Sequence, residues 1–174
     1  MDEYGRVASL YDPLVGRPLR PIHQALAERL ARTSGNVLDL CCGTGLLAEH
    51  VLGSGLSVTG VDLSPHMLDV ARAKRPGARY ILADASALPL PDDDFDAAAV
   101  SFALHEKPPR TARAILAEAR RVVRSGGPIL VADYLPPGPG RPWLTGRAIR
   151  LVEWLAGRNH HAHFLEYMAN GGAA

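Results

Sequence analysis

Residues 38–45 read LDLCCGTG, an apolar run broken by a glycine-bearing turn, and the positions from Leu46 to Leu52 that follow have a helical pattern that Gly53 stops. A strand that enters a helix through glycines leaves backbone amides pointing outward and lets a ligand approach the main chain, so a polar or anionic group is expected to dock there. The next apolar run, 57–61, is β-branched and ends at Asp62. Gly43, Gly45 and Ala48 fit the GxGxxG/A dinucleotide fingerprint, and Asp62 stands near the distance expected for a ribose-binding acid. A nicotinamide cofactor is therefore one open reading of this segment.

The alternation continues along the chain. Ahead of the turn, residues 19–31 carry Ile22, Leu26 and Leu30 at helical spacing, with Pro21 expected in the first turn. A strand is expected over 36–40. After Asp62, SPHMLDVARAKR opens a helix with Ser64 as N-cap and Pro65 in the first position. Strands are expected over 79–83, ending at Asp84, and over 95–101, with the proline-rich LPLPDDD between them. The small apolar residues of 95–101 suit burial on both faces. Residues 110–124 set Ile115, Leu116, Ala119, Val122 and Val123 on one helical stripe, and Ser125-Gly126-Gly127 ends it. A fifth strand is expected over 128–133. Beyond a stiff loop with Pro136, Pro137, Pro139 and Pro142, a helix over 143–156 and a weaker one over 162–168 are expected. Five strands each followed by a helix predict a doubly wound α/β fold with a mostly parallel sheet, its ligand site beyond the carboxyl ends of the strands.

With 174 residues and no linker that divides it, the chain reads as one domain, with 1–34 as N-terminal lid and helix, 35–134 as core and 135–174 as a helical segment. Lys and Arg total 19 against 18 for Asp and Glu, without a basic run, so a small-molecule partner is favoured over nucleic acid. No apolar stretch reaches the roughly 20 residues that span a bilayer, and the start MDEYGRVASLYD is not that of a signal peptide. Cys41 and Cys42 are adjacent, poor spacing for a structural disulfide and too few for a thiolate metal site. These features predict a cytoplasmic protein.

VLDLCCGTG, VTGVDLSPHML, ADASALPLPDDDFD, SFALHE, EARRVVRSGG and EWLAGRNHHAHF, in this order, resemble the class I S-adenosylmethionine (SAM) dependent methyltransferases, within them the ubiquinone/menaquinone biosynthesis group. The resemblance covers nearly the whole chain, and the LPxPDxxFD segment argues against a nicotinamide enzyme. It implies a Rossmann-like core and SAM as cofactor, with S-adenosylhomocysteine as product. The methionine part would lie against Gly43 and Gly45 beside Cys41, with Asp39 helping to hold its ammonium group. Asp62 would receive both ribose hydroxyls, Leu63 and Met67 would sandwich the adenine, and Asp84 with Ala85 would meet its amine and ring edge. Ser101 joins this set, and Tyr11 resembles the family's lid tyrosine.

The implied reaction is direct in-line methyl transfer to a small, quinone-like or aromatic acceptor. The alternative is a catalytically silent SAM-binding module that acts through association. Positioning can contribute about 7 to 11 kcal/mol to such a transfer, so a base is needed only where the acceptor must lose a proton. His105 is the candidate, since imidazole titrates in the useful range. His160, His161 and His163 lie close together without a Cys or acidic partner that completes a metal site, so substrate or dimer contact is favoured there. The family's sheet continues for two further strands, whereas this sequence stops at GGAA. That leaves the edge of the fifth strand to be covered, and a second copy of the chain is expected to cover it.

Overall fold

The computed structural model describes residues 8–33, 35–134 and Tyr167. The strands β1 Asn36–Leu40, β2 Ser57–Asp62, β3 Arg79–Leu82, β4 Ala97–Ser101 and β5 Ile129–Ala132 form one five-stranded sheet in the order β3-β2-β1-β4-β5. All four neighbouring pairs are parallel. The helices are α1 Ala8–Tyr11, α2 Arg17–Leu30, α3 Leu46–Leu52, α4 Pro65–Lys74 and α5 Pro109–Val122, with a π-helical turn Asp12–Gly16 joining α1 to α2. Parallel strands cannot be joined by tight turns, so the connections cross over the sheet. Strand order reverses between β1 and β4, and the splaying of loops at that point opens a crevice at their carboxyl ends.

Side-chain alternation divides the core between the two faces of the sheet. Leu38 and Leu40 of β1 and Ala98 and Val100 of β4 point to α5, where they pack with Phe95, Ile115, Ala119 and Val122. Val37, Val58, Ala97 and Ala99 face the other way, against Leu26, Ala27 and Leu30 of α2 and Leu47, Ala48 and Val51 of α3. Both faces are covered, which explains why β4 reads as a small apolar run and why β1 is apolar apart from Asn36 and Asp39. The expected cap at α4 is present: the Ser64 hydroxyl accepts a hydrogen bond from the Met67 amide at 3.2 Å, and Pro65 holds the first helical position.

Several boundaries differ from the sequence reading. α2 begins at Arg17 and includes Pro21 as an interior residue, beyond the first turn, where the ring removes the amide that would bond the Arg17 carbonyl. Its inward stripe is His23, Leu26, Ala27 and Leu30: Leu26 and Leu30 face inward as expected, but the i, i+3, i+4, i+7 stripe through them takes in residue 23, and Ile22 is 39 % exposed at its margin. β4 starts at Ala97; Phe95 bridges Val123 outside the strand and is buried against α5. β3, α5 and β5 are each a residue or two shorter than expected. The helices expected over 143–156 and 162–168, and His160, His161 and His163, lie outside the described residues, Tyr167 excepted. Among the described residues β5 pairs with β4 alone.

Candidate functional site

The turn after β1 is built from backbone conformations that most side chains avoid. Cys41, Gly43 and Gly45 take φ values of 56°, 53° and 80°. Left-handed geometry is easy for glycine but sparsely populated by other residues, so Cys41 is held there by its surroundings. The Cys42 amide donates to the Val61 carbonyl at 3.0 Å and the Gly45 amide to the Cys42 carbonyl at 2.9 Å, which ties the turn to the end of β2. There Asp62 completes the arrangement: one carboxylate oxygen accepts the Gly43 amide and the other the Ser64 amide, each at 2.8 Å.

These elements surround a cavity of about 400 Å³ at the carboxyl ends of β1, β2, β3 and β4, within the range usual for small-ligand sites. Of the residues singled out from sequence, Tyr11, Cys41, Gly43, Asp62, Leu63, Met67, Asp84, Ala85 and Ser101 line it. A Cβ added at Gly43 would meet no atom of the described residues within 4 Å, so its open side is available to a ligand. Gly45 is different: a Cβ there would come within 2.7 Å of the Tyr80 hydroxyl, so this glycine serves close packing. Leu63 is 63 % exposed although apolar, and Met67 is buried beside it on α4. Asp84 accepts the amide and hydroxyl of Ser86 through one oxygen.

Asp39 lies behind the turn, on the face of the sheet that packs against α2 and α3. Both its carboxylate oxygens are buried, and among the described residues neither has a hydrogen-bond partner. Burial, reinforced by the charge of Asp62, pushes its pKa up to about 8. A buried carboxyl left unsatisfied is costly unless something outside the chain compensates it. The thiols offer no nucleophile: burial raises Cys41 to about 12 and Cys42 well above its ordinary value. Burial raises Asp62 as well, against the pull of the Ser64 and Gly43 amides.

His105 occupies a different position from the other expected residues. It is 2 % exposed and does not line the cavity; its Nδ1 lies 2.7 Å from the Asp133 carboxylate, which also accepts the amides of Leu104 and His105. This pair fastens the segment after β4 to the end of β5, with Tyr134 packed on the imidazole ring.

The cavity wall also includes His23, Thr44, Phe102 and Lys107, none of which stood out in the sequence. His23 is 3 % exposed, with burial, then the nearby positive charge of His50 and Arg75, lowering it to about 4. Its spacing from Leu26, Ala27 and Leu30 was the available signal, since a polar residue on an inward helical stripe is a candidate for a site. Thr44 fills the variable position of CCGTG, and nothing local marks its partners. No group of three or more metal-ligating side chains occurs among the described residues, and none of the helices described is long and apolar enough to cross a membrane.

A family model described as a methyltransferase domain matches residues 37–127. The demethylmenaquinone methyltransferase of Renibacterium salmoninarum is 39 % identical over 126 residues, covering 71 % of this chain and 52 % of that protein. The protein of the same description from Thermus thermophilus is 33 % identical over 172 residues, covering 88 % and 75 %. The chain thus spans about half the length of several curated relatives it matches. Among solved structures, SAM-bound CalS10, an amino pentose methyltransferase from Micromonospora echinaspora, superposes with a TM-score of 0.58 at 28 % identity, covering 67 % of this chain and 51 % of that one. The glycine turn, the acid at the end of β2 and these matches agree, and the chain belongs to the methyltransferase domain family, in the class I SAM-dependent group of the ubiquinone/menaquinone type.

Proposed function

We propose that this protein binds SAM between the carboxyl ends of β1 and β4 and transfers its methyl group directly to a small quinone-like or aromatic acceptor, releasing S-adenosylhomocysteine. The observation that carries this reading is Asp62, whose two oxygens are held at 2.8 Å by the Gly43 and Ser64 amides while the side chain lines the cavity. A carboxylate fixed in this way keeps a further lone pair on each oxygen, which suits both hydroxyls of a cis diol. Leu63 and Met67 give the apolar surfaces that a flat base would cover, and Asp84 with Ala85 supplies polar edges. The space beside Gly43 and the orphaned carboxyl of Asp39 fit an amino-acid moiety whose ammonium favours the ionised acid.

Bound there, SAM supplies a methyl group already activated by its sulfonium charge. The protein's task is then to orient two reactants and exclude water, which needs no acid or base on the migrating group. His105 enters this reading through Asp133, fixing the wall segment after β4. The acceptor class rests on the relatives described as demethylmenaquinone methyltransferases. We further assign the protein to the cytoplasm, supported by its free cysteines, and to a homodimer formed along β5, supported by a strand edge that no described strand covers.

The test is a calorimetric titration with S-adenosylhomocysteine, with NAD and Asp62→Ala as controls. Micromolar binding that disappears in the variant supports the reading; binding of NAD instead, or of neither, removes it. Methyl transfer from labelled SAM to 1,4-dihydroxynaphthalene then tests the acceptor class. Cofactor binding without transfer to any hydroxylated aromatic would favour a binding module over an enzyme.

A further inference from the structure

Behind the glycine turn lies a group of charges that the cofactor reading does not use. Asp12, in the π-helical turn, and Arg75, at the end of α4, have side chains only 13 % and 8 % exposed. One Asp12 oxygen accepts the Thr44 hydroxyl, and the other accepts Arg75 at 2.8 Å and Lys74 at 2.9 Å. The same Arg75 nitrogen that bonds Asp12 also donates to the Thr44 carbonyl at 3.0 Å, closing a ring of three residues. The far side of the guanidinium grips Glu49 of α3 at 2.9 Å and 3.1 Å. Burial alone would raise the Asp12 carboxyl; the bonds from Thr44, Arg75 and Lys74 overcome it and hold Asp12 below its usual range, so it is ionised at neutral pH.

Such a ring is a specific fastening. A planar guanidinium satisfies a carboxylate and a carbonyl together only in one orientation, and charge-assisted bonds of this kind are about twice as strong as neutral ones. Its three members come from the N-terminal segment, the glycine turn and the end of α4. Tyr11, adjacent to Asp12, lines the cavity, and so does Thr44. We propose that Asp12 is a positioning residue for the cofactor: with Arg75 it straps the N-terminal segment to Thr44 and thereby sets Tyr11 against the ligand. The proposal rests on the cofactor reading above and adds to it the device that closes the site.

A double-mutant cycle on S-adenosylhomocysteine affinity tests it, with Tyr11→Ala, Asp12→Asn and the double variant measured beside the wild type. Asp12→Asn alone is expected to weaken binding roughly tenfold, the size of a lost charge-assisted hydrogen bond. In the Tyr11→Ala background the same substitution should change affinity less than about twofold, because Asp12 acts through Tyr11. Additive effects, or unchanged affinity in Asp12→Asn, would overturn the proposal, since a purely structural role has no reason to depend on Tyr11. Should Asp12→Asn not fold, Thr44→Val removes one hydroxyl from the ring and enters the same cycle with the same expectation. A wild-type chain that does not bind S-adenosylhomocysteine overturns the cofactor reading and this role together, whereas normal wild-type binding with additive variants overturns this role alone.

Discussion

Gly43 and Gly45 both hold left-handed backbone, yet alanine at the two positions should act in opposite ways. At Gly43 the new methyl enters open space, so the chain should fold with a loss of roughly 1 kcal/mol from backbone strain while S-adenosylhomocysteine affinity drops tenfold or more. At Gly45 the methyl meets the Tyr80 hydroxyl and the Arg75 chain, and strain plus overpacking should cost roughly 3 kcal/mol in denaturant melts. Asp39 carries a second prediction at this scale. Its carboxyl keeps a proton to about pH 8 in the folded chain but loses it near 3.8 when exposed. Between those values the folded state binds more protons, so the Asp39 contribution is fully present below about pH 4 and is lost as pH rises to about 8. Asp39→Asn should abolish that slope, and the melting temperature of the ligand-free wild type should fall relative to the variant between about pH 4 and about pH 8. A parallel pair of curves would mean that Asp39 is already ionised. Gly43 and Asp62, which line the cavity, were named from the motif, and so was Asp39, which lies behind the turn and does not line it; the orphaned state of Asp39 was not legible, because it depends on what packs over it.

Among the elements, α5 does more than cover one face of the sheet. Arg121 donates to the carbonyls of Leu88 and Leu90 and to Asp92, while its neighbour Glu118 accepts the Leu88 amide at 2.7 Å. This clamp holds the proline-rich segment that follows Asp84 and Ala85, so α5 positions part of the cavity wall that it does not itself form. Arg121→Gln should therefore speed hydrogen exchange at the Leu88 amide and lower S-adenosylhomocysteine affinity several-fold, with the sheet amides unchanged. Loss of protection throughout the sheet would show instead that the clamp supports the whole fold. Helix α5 was readable because its stripe is strong and bounded by Pro109 and a glycine pair. For α2 the reading selected Ile22 where the structure buries His23. With Leu26 and Leu30 facing inward, either position 22 or position 23 can continue the stripe, and apolar spacing alone favours the isoleucine over the histidine.

At the scale of the whole sheet, β5 is an edge strand among the described residues, and Val131 on it is 45 % exposed. If a second copy covers that edge, sedimentation at micromolar concentration should give twice the chain mass, and Val131→Lys should shift the equilibrium to monomer by placing like charges opposite each other. A monomer at all concentrations would remove the dimer. The sequence by itself determined the alternation of strands and helices, the cap at Ser64 and the glycine turn, because each depends on contacts within a few residues and on backbone preferences of single residue types; it also placed an acid at the end of β2, though the bond from the Gly43 amide 19 positions away is made only in the fold. It also named part of the cavity wall, largely through motifs whose members lie at the ends of consecutive strands. The tertiary structure alone decided the parallel order β3-β2-β1-β4-β5, the burial of His23, the withdrawal of His105 from the cavity to pair with Asp133, and the ring of Asp12, Thr44 and Arg75. Those contacts join residues separated by as many as 63 positions, and whether such groups meet depends on how the layers pack, which no local pattern encodes.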